Sequence, residues 1–516
     1  MKKVLILSCL FGLCIISLHS QGEDPKQMSM TLNQCVAKAL EGNLDIAVQS
    51  FNPEINEAAI SQAREIFLPD FRVEFSNENL DNLTSWGVEG INYTTKQHMY
   101  TFSLNQKFVT GADIALRYLN YTTKTTKNLT AVNPQYYNRF TLEITQPLLK
   151  NMGPKITRYE IDRAENQRDI SKIELDSTVL QKVYEVEEAY WNLVYAMENL
   201  KVRELSLVQS REQHKSSREA ARIGAGSALD VLKAKTEVAQ AEDQVLAARS
   251  QVEMYEDQLK EILNLDTLGF EGQMSIIPAD EPKIDRPDIS FEQALKLAME
   301  RNPDVARLDK QIENSSLDIS YHKNQLLPQL DLNFSLWYLG QGGIRSFYLN
   351  NNPFTGIVVD QEERSRIDAF KDILDRKYQN WQVRLNLSIP LENLFSRARL
   401  TQARLEKDQR TAEKERLEKT VYFDLLEVFK DLNNNEKRIG STARYREMVE
   451  KKLEAEHQRY RLGLTGPEWL FSYQRELAQA KADEIQAVTT YKKSVAKLEK
   501  ILGISLDKKG LLYRKK

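Results

Sequence analysis

Cysteine, histidine and long apolar runs are all scarce in this chain of 516 residues. Of its three cysteines, Cys9 and Cys14 fall in the N-terminal stretch, and Cys35 is alone after it. One thiol makes no internal disulfide, so packing must hold the protein together. The five histidines include no HExxH pair, which leaves a zinc hydrolase unsupported. There is no GxSxG elbow and no phosphate-cradling GxxxxGK[ST]. GAGSAL at 224–229 lacks the third glycine of GxGxxG and sits between two helical tracts, where a dinucleotide site needs a strand, a turn and a helix. No catalytic, cofactor-binding or metal-ligating residue is assigned, and the chain does not read as an enzyme. Charge of one sign is missing too: 71 basic against 74 acidic residues give a net −3, without the basic excess of a nucleic-acid binder. Beyond residue 20 no run of 18 apolar residues occurs, so no membrane-spanning helix is expected. Barrel strands are not excluded, because alternation leaves only a weak hydropathy trace.

What is present begins at the N-terminus. Lys2 and Lys3 precede the apolar run Val4–Leu18, and the small Ser20 follows. This is the pattern of a secretory signal over residues 1–20. A lipid-anchored reading at Cys14 is disfavoured by the bulky Leu13 before it.

The rest of the chain is written twice. TLNQCVAKALEGNLDIA (31–47) answers SFEQALKLAMERNPDVA (290–306), and SQAREIFLPDFRVEFS (61–76) answers SYHKNQLLPQLDLNFS (320–335). The offset of 259 holds without a gap from Thr31/Ser290 to Ser76/Ser335. Later landmarks realign at smaller offsets: QPLLKN (146–151) with IPLENL (389–394), and ARIGAGSALDVL (221–232) with YRLGLTGPEWLF (460–471). Two halves, 21–273 and 289–506, share one plan, joined by a proline-bearing linker at 274–288 and followed by a basic tail at 507–516. The first half carries about 20 more residues between landmarks, mostly in its strand region.

In each half a helix of about 37 residues is expected to run to the Leu-Pro, with Thr31 and Ser290 as N-caps. Strands follow, then a long helix (Thr157–Ile223 or Ser396–Leu462), a glycine turn, and a return helix (Ala228–Leu263 or Trp469–Leu502). The long tracts span about 100 Å, and two shorter helices end to end match one long one. In the first return helix Val231, Val238, Val245, Val252 and Leu259 recur every seven residues. Ala234, Ala241, Ala248, Tyr255 and Ile262 fall three after each, completing a coiled-coil seam. In the second, Leu470, Leu477, Tyr491 and Leu498 hold one register, interrupted by Glu484. The charged run at 404–419 reads as a solvated helix face.

Alternation marks strands at Phe71–Asn77, Tyr100–Lys107, Asp113–Asn120, Arg139–Thr145, Gln329–Trp337 and Trp381–Ile389, with a tight turn at VTGA (109–112). Tyr118, Tyr121, Tyr136, Tyr137, Trp337, Tyr338 and Trp381 crowd the strand ends, as in an aromatic girdle. Four to six strands do not close a barrel wide enough for passage. Open edges cannot sit in lipid, so several chains must pool strands.

The order of these motifs, duplicated, resembles the TolC-type outer-membrane efflux protein family across nearly all of the chain after residue 20. The residues that carry the resemblance are Leu68-Pro69, Leu327-Pro328, Gln146-Pro147-Leu148, the helix openings at Thr31 and Ser290, and the turns RIGAGSALDVL and YRLGLTGPEWL. The resemblance implies a mainly α protein with membrane β-structure: a homotrimeric β-barrel of four strands per chain in outer-membrane lipid, continued by a long α-helical coiled-coil tunnel in the periplasm. Up to six strands here depart from four, and the Tyr100–Asn120 hairpin is where the two counts divide.

The resemblance also implies that the helical turns form the tunnel's periplasmic tip, where a periplasmic adaptor docks and an inner-membrane pump is coupled. Gly224, Gly226, Gly463, Leu464 and Gly466 take the tip turns, while Asp230 and Tyr460 match positions that link neighbouring coiled coils across the entrance. Leu229 and Thr465 stand where a linking threonine and arginine are found, and Trp469 and Ser472 where aspartates constrict the entrance. Glu468 is a candidate acid at the pore mouth or a solvated tip residue. The expected function is a passive exit duct for efflux or type I secretion. The alternative is a secreted coiled-coil structural or adhesive protein without a pore, which accounts for the heptads but not for the duplicated Leu-Pro junctions.

Overall fold

The computed structural model describes residues 27–82, 93–127, 130–224, 226–265, 274–281, 284 and 286–505. The signal at 1–20 and the tail at 507–516 lie outside the described residues. The first half runs β1 (Gln27–Met30), α1 (Leu32–Gly42), α2 (Leu44–Arg64), β2 (Asp70–Asn82), β3 (Tyr93–Lys107), β4 (Asp113–Thr125), β5 (Val132–Pro147), α3 (Pro154–Thr157), α4 (Tyr159–Arg222) and α5 (Ala228–Leu263). The second runs β6 (Ser275–Pro278), α6 (Phe291–Arg301), α7 (Pro303–Asn324), β7 (Gln329–Tyr348), β8 (Val358–Arg364), α8 (Arg366–Leu374), β9 (Tyr378–Ser388), α9 (Leu394–Arg461) and α10 (Pro467–Leu502).

The opening helix differs from expectation in both halves. It is not one rod of about 37 residues but two helices, broken at Asn43 and at Asn302, which hold extended backbone angles. An asparagine side chain competes for backbone groups and favours a cap over a helix interior. Asn302 caps α7 by accepting from the Asp304 and Val305 N–H groups. Asn43 instead donates to the Ile262 carbonyl at the end of α5. Thr31 does cap α1, in a reciprocal box with Gln34.

The chain forms two compact units, and each draws on both halves of the sequence repeat. One comprises residues 1–44, 179–291 and 425–516; the other comprises 45–178 and 292–424.

The first unit is a helical assembly. The α5 seam buries Ala234, Ala241, Val245 and Ala248 as the heptads require. Toward the C-terminus the buried set drifts to Glu256, Leu259 and Leu263, because a helix of 3.6 residues per turn slips against a period of 3.5. Glu256 is accommodated because β6 passes there: its carboxylate accepts from the Ile276 N–H and the Ser275 hydroxyl, and pairs with Lys260. The linker at 274–288 is thus partly strand, with β6 pairing in parallel with β1. Around that pair, Tyr190 is fully buried, its hydroxyl 2.8 Å from the Asp280 carboxylate. In α10 Leu470, Leu477, Tyr491 and Leu498 are buried as the heptads expect. The intruding Glu484 is tied to Arg446 of α9 at 2.6 Å.

The second unit is built around a seven-stranded antiparallel sheet in the order β2-β3-β4-β5-β7-β8, with β9 also on β7. All six expected strands are present, each longer than the alternation alone suggested. The β3–β4 hairpin lies within the sheet, since β3 is the partner of β2 and β4 is the partner of β5. Its turn reverses at Gly111, whose φ of +95° suits glycine and where a Cβ would lie 2.6 Å from the Asn151 carbonyl. At the helix-proximal end, Tyr159 stacks on Tyr321 with centroids 4.3 Å apart and donates to Asp318, joining α4 to α7.

Candidate functional site

Two surfaces carry the functional reading, one in each unit. The first is a face of the sheet. Cross-strand pairing aligns Phe71, Leu104, Leu116, Leu142, Leu336 and Trp381 in one row, and Val73, Phe102, Tyr118, Phe140 and Tyr338 in the next. Successive side chains alternate between faces, so these rows and their neighbours Phe75, Ile144, Phe334, Val383, Leu385 and Leu387 share one face. The opposite face carries Arg72, Glu74, Ser103, Arg117, Arg139, Glu143, Asn333, Gln382 and Arg384. An apolar exterior and a polar interior in strict alternation are the sequence requirement of a membrane β-barrel.

The expected aromatic girdle divides between the faces. Tyr118, Tyr136, Tyr338 and Trp381 lie on the apolar face; Tyr121, Tyr137 and Trp337 lie on the polar one, where the Arg139 guanidinium covers the Trp337 ring at 5.1 Å. Beside them, where β8 and β9 part along β7, a cavity of about 710 Å³ is lined by Tyr137, Gln341, Arg345, Glu362, Arg364 and Lys377.

α8 packs on the apolar face at the far edge of these rows, where its Phe370 meets the Tyr118 ring edge-on at 5.9 Å. Gly340 makes this approach possible: a Cβ there would lie 1.7 Å from the Ala369 carbonyl. Asp372, buried on the inner side of α8, is gripped at both oxygens by Arg364 at 2.8 Å. Among the described residues no helix is long and apolar enough to cross a membrane.

The second surface is the pair of helical turns. Gly224 (φ +79°) and Gly463 (φ +73°) have open space around them, so the left-handed backbone, not crowding, calls for glycine. The turns then start their return helices differently. Ser227 caps α5 in a reciprocal box with Asp230. Hydrogen bonds from Ser227 hold the Asp230 carboxyl below the usual carboxylate range. Gly466 begins α10 without a side-chain cap, and Pro467 occupies the first helical position.

Among the described residues no hydrogen bond joins Asp230 to Tyr460. The Tyr460 hydroxyl accepts from Gln213 Nε2 of α4 at 3.0 Å, and its side chain packs against the buried cluster formed by Val449, Leu453, Leu470 and Leu477. Glu468 pairs with Lys233 of α5 at 3.2 Å, and a further ion pair joins Glu237 to Arg475. Gln213, Lys233, Glu237 and Arg475 therefore tie the two coiled coils of one chain together, and sequence reading did not single them out. No local signal marks them, because each pair is separated by more than 230 positions. Leu464 is exposed, as are Ile223, Leu229, Leu232, Leu462 and Trp469, leaving an apolar fringe on the turns.

A sheet with one apolar face in one unit and long helices paired through buried seams in the other are the two features that define this fold. Comparison with known proteins agrees. The family of outer membrane efflux proteins matches residues 113–265 and 294–504, well over half of the sequence. The chain belongs to that family. A search of curated proteins returned no match. Among solved structures, the CmeC outer membrane channel of Campylobacter jejuni is 14% identical, with a TM-score of 0.64, covering 100% of this chain and 96% of that one. The outer membrane protein VceC of Vibrio cholerae is 13% identical, TM-score 0.63, covering 92% and 96%. A membrane protein of Pseudomonas aeruginosa is 16% identical, TM-score 0.65, covering 91% and 90%. At such identities the likeness is one of fold.

Proposed function

We propose that this chain is the outer-membrane exit duct of an export system. Three copies pool their strands into one barrel in outer-membrane lipid, and their helices line a periplasmic tunnel. The observation that carries this reading is the continuous apolar face, running strand to strand as far as both edges of the sheet. Phe71 and Trp381, on the two edge strands, are 64% and 67% exposed, which a water-soluble monomer does not sustain over a whole sheet. The duct supplies no energy; an inner-membrane pump does, and a periplasmic adaptor docks on the tips around Gly224, Gly226, Gly463, Leu464 and Gly466. The exposed apolar fringe there is suited to such a partner. Cargo, whether small molecules or protein in type I secretion, is chosen by the pump.

Asp230 and Tyr460 hold the entrance closed, with Glu468 near the mouth. Replacing Asp230 and Tyr460 together by Ala is expected to raise resting conductance in a planar bilayer, while an unchanged closed state removes them from the gate. Extraction behaviour tests the reading as a whole. A barrel requires detergent, whereas release by salt alone would favour a secreted coiled coil without a pore.

A further inference from the structure

The wall of the duct follows from the pairing of the sheet, given the three-copy reading above. β2 has β3 as its partner along all thirteen of its residues, and β4 stands between β3 and β5. If the β3–β4 hairpin lay outside the wall, β2 would lose its place in it. The apolar rows also pass through the hairpin unbroken, by way of Leu104 and Leu116, and Phe102 and Tyr118.

We infer that each chain contributes six through-running strands, β2, β3, β4, β5, β7 and β9, rather than the four that the family resemblance implies. Three copies of six strands then close an eighteen-stranded barrel, with β9 of one copy pairing antiparallel with β2 of the next.

The edges fit this closure. The ladder row from Asp70 passes through Asn105, Ala115, Glu143 and Ser335 to Gln382, six residues short of the end of β9 at Ser388. Placing Asp70 of the next copy opposite Ser388 makes the strand ends flush. The register then shifts by six residues across six strands. With about 3.3 Å per residue and about 4.8 Å between strands, the tilt is about 35°. That meets the 35–45° range in which barrels close.

The same register keeps the faces matched. Phe71 meets Leu387, Val73 meets Leu385 and Phe75 meets Val383 on the lipid side, covering residues now bare in the single chain. On the lumen side Glu74 falls opposite Arg384, an opposite-charge cross-strand pair. At this tilt eighteen strands enclose a backbone diameter of roughly 34 Å, against roughly 22 Å for twelve. The outer segment of the duct is therefore wider than a twelve-stranded wall allows.

Single-particle imaging of the detergent-extracted full chain tests this together with the Val73→Cys/Leu385→Cys variant. The expected particle is threefold with eighteen strands. Oxidation should convert the double variant, but neither single variant, to covalent trimers on a denaturing gel. The two positions lie on opposite edges of one sheet, so a disulfide must join two copies, and the native Cys35 is buried. A trimer with a twelve-stranded wall and the hairpin outside it overturns the inference and leaves the duct standing. An eighteen-stranded particle whose double variant stays uncrosslinked overturns the register. A monomer, or a particle without a barrel, removes the duct reading itself.

Discussion

The two halves of the chain differ most in what they insert between the same two strands. In the first, β2 and β5 are separated by the β3–β4 hairpin, which lies in the plane of the sheet and adds to its width. In the second, β7 and β9 are separated by β8 and α8, and β7 still pairs directly with β9 over Gln329–Leu339. One insertion extends the sheet; the other is a cap on the far end of β7. The difference rests on residue choice. The hairpin carries alternating apolar residues that continue the rows of its neighbours. β8 reads VVDQEER, and α8 needs Gly340 in β7 to seat its backbone. A duplicated junction thus sets where an insertion leaves the sheet, and the insertion's own periodicity sets whether it rejoins.

Deleting residues 93–125 should have the largest effect. β2 would then meet β5 directly, Phe71 opposite Leu142, and imaging should show a wall narrower by two strands per chain. Deleting the β8–α8 insertion should leave the through-strand count unchanged, and a narrower wall there would break the comparison. Next comes Gly340→Val. Its side chain would collide with the Ala369 carbonyl, displacing α8 from the sheet at a cost of about 1–3 kcal/mol in thermal unfolding. The same substitution at Gly224, where a Cβ meets open space, should act only through its left-handed backbone. The two tips differ by their caps. Ser227→Ala should cost about 1 kcal/mol of stability by removing the α5 N-cap, measured in urea, whereas α10 has no such side chain to lose.

The smallest effect contrasts Cys35 of α1 with Ala294 of α6, equivalent positions in the repeat and both fully buried. Cys35→Ala should cost about 1 kcal/mol or less, because the other half already packs an alanine there. Burial, with the nearby Asp280, pushes the Cys35 thiol up from 9.0 to about 12. The folded protein therefore keeps a proton that the unfolded chain releases, and this contribution to stability is lost as pH rises from about 9 toward about 12. Stability measured against pH should fall less steeply over that window in Cys35→Ala. A slope identical to the parent would show that the thiol does not ionise on unfolding.

Much of the fold is legible in the residues alone. The 259-residue offset identifies equivalent core positions, and Cys35/Ala294, Ala39/Ala298 and Ile46/Val305 are buried in both halves. Alternation locates six strands, and heptads locate the buried face of α5. The breaks at Asn43 and Asn302 are missed because the apolar spacing continues across them while the asparagine turns the backbone. β8 is missed because it is short, charged and paired only with the upper part of β7. At the tips, glycine and the Ser227–Asp230 box are local and readable. The Lys233–Glu468 and Gln213–Tyr460 contacts are not, since residues so far apart meet only when two helical hairpins pack.

Local patterning by itself determined the repeat, the helical hairpins, the alternating strands and the absence of a spanning helix, because each depends on the spacing of neighbours along one chain. Only the tertiary structure decided that the hairpin stands inside the sheet, that both edges remain bare and that the compact units cut across the repeat. Pairing partners are chosen among strands far apart in the chain. That choice is made by which faces match when they meet, and no periodicity within one strand records it.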